Sequence, residues 1–154
     1  CSVRRQRQMC IRDRKEWVLA GEIDLKALMR SLDITSFDEV FVFATLKDRC
    51  LPDGVNPQMV FQEAEGTTLI LRRSEAENSG IAYDFPCRMI TLNVHSALEA
   101  VGFIAAIASA LAERGISVNP VAGFYHDHLF VPDGKQEQAI AAIRSLASSY
   151  VAED

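Results

Sequence analysis

All three histidines of the chain fall between Ile90 and Pro132, and two of them flank an aspartate in Tyr125-His126-Asp127-His128. On a strand, His126 and His128 project to the same face, close enough to share a divalent metal. Asp127 then orients an imidazole or adds a ligand, and His95 completes a three-histidine set. Against this, no H-E-x-x-H or comparable spacing specifies a metal, and turns favour His and Asp for ordinary solvation reasons. A polar-ligand or interface role and a plain solvated hairpin therefore stand beside the metal reading. A Ser-His-Asp set drawn from Ser96, His126 and Asp127 has no nucleophile-elbow glycine pattern around the serine. Gly-rich phosphate loops are absent, and Gly115 to Gly123 has the wrong spacing for a dinucleotide site. Neither catalysis nor a cofactor is expected.

Ser96 carries a second kind of chemistry. Ser96-Ala97-Leu98-Glu99 matches a capping box, in which the hydroxyl accepts from the amide three residues on and the carboxylate reaches back. The spacing predicts a helix from Ala97, with Leu98, Val101, Ile104, Ala105, Ala108 and Leu111 on one stripe and Gly115 closing it as a left-handed cap. Amides at such a helix start make a positively polarised end suited to a carboxylate. Gly102, one turn on, would let a ligand or a neighbouring backbone approach closely.

The elements that must position these groups read without interruption. Ile90, Leu92 and Val94 alternate with Thr91, Asn93 and His95, the period of a strand buried mainly on one face. After the helix, Ile116, Val118 and Val121 lead to Gly123, a turn is expected around Tyr125 to Asp127, and Leu129-Phe130-Val131 resumes extended character. A second helix follows, with Asp133 as its predicted cap and Ala139, Ile140, Ile143 and Leu146 on one stripe. Strand, helix, strand, strand, helix is the split βαβ order of ferredoxin-like domains. Its missing last strand comes either from Tyr150-Val151 or from the N-terminal half.

The N-terminal half is less regular. Leu25, Leu28, Met29 and Leu32 form a short helical stripe after Asp24, and Val40 to Ala44 is an apolar run typical of a central strand. Met59-Val60-Phe61 and Thr67 to Leu71 flank Glu65-Gly66 as a hairpin whose glycine is available for a positive backbone angle. Ser74 to Ser79 predicts a brief helix. Val42-Phe43 before Pro52-Asp53-Gly54 faintly echoes Phe130-Val131 before Pro132-Asp133-Gly134, although such a triplet is also common turn chemistry.

TLNVHSALEAVGF with ISVNPVAGFYHDHLFVP, supported upstream by FVFATL and EAEGTTLIL, resembles the small bacterial proteins built from two ACT-like domains, over roughly residues 21 to 147. The resemblance implies an α+β fold, two ferredoxin-like βαββαβ units packed together, a first unit over 15–86 and a second over 87–154. It also implies a regulatory role in binding a small effector, often an amino acid. Many such domains place an Asp and a Pro-Gly before the first helix, where this chain has His95-Ser96-Ala97-Leu98 and puts its glycine at 102. The expected ligand site joins His95, Ser96, Ala97, Leu98, Glu99, Val101 and Gly102 to a strand edge carrying Asn119 and Val121, with Tyr125, His126, Asp127 and His128 nearby. That edge is donated by the same chain, the other unit or a second copy. The alternatives are a metal-binding protein using His95, His126 and His128, and a ligand-free pairing module. Ferredoxin-like sheets leave edges that can pair, so a homodimer is expected.

The chain as a whole narrows the function classes. At 154 residues and 49% hydrophobic, it can bury one sizeable core or two small ones that pack together. No apolar run approaches the roughly 20 residues needed to span a bilayer. The first fourteen residues hold five arginines and little apolar periodicity; RRQRQMCIRDR resembles translated sequencing-adaptor sequence and reads as a non-native extension, with no apolar region of a signal peptide. They carry five of the 16 basic and one of the 21 acidic residues, so the remainder has 11 against 20 and a net charge of −9. Nucleic acid is disfavoured, because phosphate binding needs a concentrated positive field. Cys50 and Cys87 outside the extension form no C-x-x-C or disulfide framework, and the cytoplasm is the expected compartment.

Overall fold

The computed structural model describes residues 24–152; the extension expected at residues 1–14 lies outside them. Helix α1 (Leu25–Arg30) starts where Asp24 takes the Ala27 amide on its side chain at 3.0 Å, satisfying one of the amides a helix start leaves without a partner. Then come β1 (Ile34–Leu46), β2 (Met59–Gln62), β3 (Thr67–Arg72), α2 (Arg73–Asn78), β4 (Tyr83–Leu92), α3 (Phe103–Ala112), β5 (Asn119–Ala122), β6 (Asp127–Pro132) and α4 (Gln136–Val151). The six strands form one sheet in the order β2-β3-β1-β4-β6-β5, and every neighbouring pair is antiparallel.

Two interlocked units follow from that order. β1, β3 and β2 lie side by side with β4 beyond β1; β4, β6 and β5 lie side by side with β1 beyond β4. Each unit thus has the 4-1-3-2 arrangement of a split βαβ fold, and β1 and β4 serve both. β1 is 13 residues long, against roughly 5–6 for an average strand. The length lets Phe41–Leu46 pair with β3 while the stretch from Ile34 to Ala44 pairs with β4. The last strand of the second unit therefore comes from the N-terminal half, and Tyr150-Val151 closes α4 instead. The boundary expected between residues 86 and 87 falls inside β4.

Strand alternation sorts the core. Ile90, Leu92, Leu129 and Val131 meet Leu28 and Met29 of α1, Phe103, Ile107 and Leu111 of α3, and Ala139, Ala142 and Ile143 of α4 in one cluster. Val42, Ala44, Leu69 and Leu71 meet Ala76 of α2 in a second, with Leu51 and Val55 of the β1–β2 loop packed against it. The other side of the sheet carries Phe41, Ile70, Cys87, Met89 and Phe130, with Phe41 and Phe43 each edge-on to Phe130 at 5.9 Å between ring centres. At about 25 cal/mol per Å² of apolar surface, each fully buried Leu, Ile or Phe among these contributes about 1.5–3 kcal/mol.

Three local expectations are corrected. Helix α3 starts at Phe103, six residues after Ala97, because Gly102 before it holds φ +91°, outside the right-handed helical region. The stripe becomes Phe103, Ile107, Ala110 and Leu111, while Leu98 and Val101 are 70% and 83% exposed. Asp133 does not cap α4, which has no side-chain cap; its carboxylate takes the Arg88 guanidinium at 2.7 Å, and Arg88 also donates to the Asp38 carbonyl. Gly66 is absent from the positive-φ glycines and serves close packing instead, since a Cβ there would meet the Leu46 carbonyl oxygen at 2.8 Å. The Pro-Asp-Gly echo is turn chemistry, as Gly54 and Gly134 share φ of +82° and +86° but follow strands in different places, β1 and β6.

A cleft between the β4–α3 loop and the β6 edge

Where β4 ends, the chain leaves the sheet for ten residues before α3, and this loop forms one wall of a cleft of about 170 Å³. Its lining joins Ser96, Ala97, Leu98 and Ala100 from the loop, Gly102 to Ala105 from the helix start, and Ala122 and Asp127 from β5 and β6. Sequence alternation explains the far wall. Asp127 pairs with Leu92 on one side and Ala122 on the other, so it projects to the helix-covered face with Leu129 and Val131.

Asp127 is only 7% exposed, an unusual place for a carboxylate. Ser96 Oγ donates to its Oδ2 at 2.9 Å, which fixes both side chains and explains why the serine is not a helix cap. Ser96 sits instead in an isolated β-bridge. The helix start is left without any side-chain cap. Within α3 the Ala106 amide reaches the Gly102 carbonyl at 2.9 Å, so the amides of Phe103, Ile104 and Ala105 precede the first intrahelical bond and give the cleft a positively polarised end. A buried acceptor and a row of donors thus share one small space whose remaining walls are largely apolar.

The other expected site residues are placed elsewhere. Asn119 and Val121 pair with Phe130 and His128 and lie on the opposite side of the sheet from the cleft; it is Ala122 that lines it. His128 also faces that other side, its Nδ1 2.9 Å from Thr91 Oγ1. Burial, then the neighbouring His126, holds its pKa below the ordinary histidine value, with Asp127 acting the other way. His126 belongs to the turn before β6, which is closed by the Gly123 amide on the His126 carbonyl at 2.9 Å, and its Nδ1 lies 3.3 Å from the Val94 carbonyl oxygen. Tyr125 is 53% exposed, with its ring 6.2 Å from that of His95 and 5.1 Å from that of Phe124. Glu99 and Val101 are exposed on the loop and outside the cleft. Ser96, His126 and Asp127 do not form a nucleophile relay, since the serine donates directly to the carboxylate. Among the described residues no group of three or more His, Cys, Asp or Glu could hold a metal.

Two family profiles, both described as ACT domain, match residues 20–88 and 84–145. A crystal structure from Vibrio cholerae, a protein of unknown function described as a possible transport protein, is 41% identical over 80% of this chain and 95% of its own, with a TM-score of 0.72. This chain is a tandem ACT-domain protein. The two ACT matches meet inside β4, the strand that both units share. Aspartate kinase from Clostridium acetobutylicum has the same fold at 13% identity and a TM-score of 0.62, over 81% of this chain and 36% of the kinase. So does the regulatory subunit of aspartate kinase from Thermus flavus, at 10% identity and 0.55, over 73% of this chain and 95% of the subunit. No curated protein matches the chain.

In the second ACT unit, Ala100, Phe103, Ile104, Ala105 and Ala122 line the cleft beyond the expected residues. The glycine held the clue to Phe103, Ile104 and Ala105. A glycine six residues past the serine, followed by Phe-Ile-Ala-Ala-Ile, is an equally good helix start once a left-handed cap residue is admitted. Ala122 had no signal of its own, because its place depends on its register with Asp127.

Proposed function

We propose that this tandem ACT protein is a cytoplasmic, non-catalytic regulatory homodimer that binds a free amino acid in the cleft of its second unit. The observation that carries the reading is the pairing of opposites in one cleft, the buried Asp127 carboxylate across from the uncapped start of α3. An α-amino acid carries the complementary pair. Its ammonium suits Asp127, its carboxylate suits the amides of Phe103 to Ala105, and Ala97, Ala100, Phe103 and Ala122 leave apolar room for a small, uncharged side chain. An anion alone would meet Asp127 unfavourably, and a cation alone would meet the helix start. The ACT matches and the likeness to a regulatory subunit of aspartate kinase support a regulatory role for the bound molecule.

For the dimer, support comes from the two sheet edges, β2 and β5. β5 carries Pro120, which offers no amide, whereas β2 exposes Val60 and Phe61 at 46% and 61%. No helix among the described residues is long and apolar enough to cross a membrane, and neither Cys50 nor Cys87 is in a disulfide.

The test is a thermal-shift screen of the protein against the twenty amino acids. A ligand at a hundred times its dissociation constant adds about 2.7 kcal/mol, and small uncharged side chains should give the response. Asp127→Asn, which keeps the shape and removes the charge, should abolish it. A flat screen on a folded protein, or an undiminished response in Asp127→Asn, overturns the reading.

A further inference from the structure

The pseudo-symmetry of the sheet lets the two ACT units be compared position by position. Leu46 pairs with Thr67 as Leu92 pairs with Asp127, and Gln62 pairs with Thr67 as Ala122 pairs with Asp127. Thr67 is therefore the first-unit counterpart of the cleft carboxylate, and Gln62 the counterpart of the alanine beside it. Both differences close the space. Thr67 is 1% exposed, and its hydroxyl donates to Gln62 Oε1 at 2.9 Å, so its polar partner comes from the neighbouring edge strand, whereas Asp127 takes its hydrogen bond from Ser96 of the loop and has only the short Ala122 beside it on the edge. The third component of the site is missing as well. Where the second unit has α3, the chain between β1 and β2 has no helix and packs Leu51 and Val55 against the first-unit core, so no helix start presents its amides there.

We infer that the two units have divided their roles, with one amino-acid site per chain in the second unit, and that the residue opposite the cleft carboxylate, alanine at 122 against glutamine at 62, is a determinant of which unit binds. The inference rests on the reading of the cleft as an amino-acid site. A short residue at 122 keeps the space over Asp127 open, while a glutamine there reaches across and takes the hydrogen bond. The first unit then serves as scaffold, lending β1 to the sheet of the second and α1 to its core.

The decisive experiment is calorimetric titration of the whole chain with whichever of the twenty amino acids gives the largest thermal shift, alongside Ala122→Gln and Gln62→Ala. Ala122→Gln is a tolerant change, because Gln62 already occupies the matching edge position without disturbing the fold. The expected results are one ligand per chain in the unaltered protein, at least tenfold weaker binding in Ala122→Gln, and one ligand per chain with unchanged affinity in Gln62→Ala. Two ligands per chain in the unaltered protein, or full affinity in Ala122→Gln, overturn the division of roles while leaving the amino-acid reading intact. A second site appearing in Gln62→Ala would support the role of this position in deciding which unit binds, and would show that the glutamine alone closes the first unit. If none of the twenty binds, the amino-acid reading fails and this inference falls with it.

Discussion

Gly102 and His128 show how single residues tie the cleft to the stability of the fold. At φ +91°, Gly102 lets the chain turn from the loop into α3, and a Cβ there would have ordinary contact with Leu25 Cδ2 at 3.7 Å. The cost of Gly102→Ala is thus one of backbone conformation, about 1–2 kcal/mol for a left-handed residue with a side chain. A lower urea midpoint of that size is expected, with weaker amino-acid binding because the helix start shifts. An unchanged midpoint would mean that the turn is not strained. His128 adds a pH dependence. Its pKa in the folded protein lies below the ordinary histidine value of 6.5, mainly through burial, so just below pH 6.5 the unfolded chain binds the proton more readily than the native one. Its contribution is complete above pH 6.5 and is lost as the pH falls through the folded value. Urea midpoints at pH 7.5 and 5.5 should converge more closely in His128→Gln than in the unaltered protein, and equal slopes would remove His128 as the source. Cys87 illustrates the same physics without a role in the cleft: burial, then Asp133, pushes its thiol up to about 12, and Sγ donates to the Phe41 carbonyl at 3.3 Å.

At the scale of elements, what was legible followed from local chemistry. The short helix after Asp24, the apolar run inside β1, the β2–β3 hairpin and the stripe of α4 all depend on contacts within a few residues, and each is present where the spacing puts it. The start of α3 was misplaced because two local signals compete. Ser96-Ala97-Leu98-Glu99 is a sound capping box until Asp127, 31 residues away, takes the serine hydroxyl. The same competition misdirects Asp133, whose carboxylate is claimed by Arg88, 45 residues off in sequence. A polar side chain near a helix start has more than one donor or acceptor within reach, and only the fold decides which one it meets. Leu28→Ala tests the most distant of these dependences, since Leu28 of α1 is 1% exposed in the cluster formed with α3 and α4. A loss of about 2–5 kcal/mol is expected from denaturation curves, and less than 1 kcal/mol would mean that α1 is not part of that core.

For the whole molecule, sharing β1 and β4 joins the two ACT units in one sheet, so they are expected to unfold as one cooperative object. Residues 87–154 alone would lack β1, the strand beyond β4, and Leu28 and Met29 from its core. That piece is expected to show no cooperative thermal transition by circular dichroism, whereas the whole chain unfolds in a single step. A sharp transition in the isolated piece would mean that the units are separable after all.

The order of elements, the α+β character and the resemblance to tandem ACT proteins were all legible in the sequence itself, and Ser96, Gly102 and Asp127 stood out there as candidates, because periodicity, turn glycines and motif spacing act over short distances. What the tertiary structure alone decided is which face each group serves. Asp127 and His128 are adjacent in sequence yet lie on opposite sides of one sheet, because successive strand residues alternate. That parity sends the carboxylate to the cleft and the imidazole away from it, and which side holds the cleft is set by where α3 packs. The pairing of Ala122 with Asp127, and of Gln62 with Thr67, is likewise a matter of register between strands, which no single strand encodes.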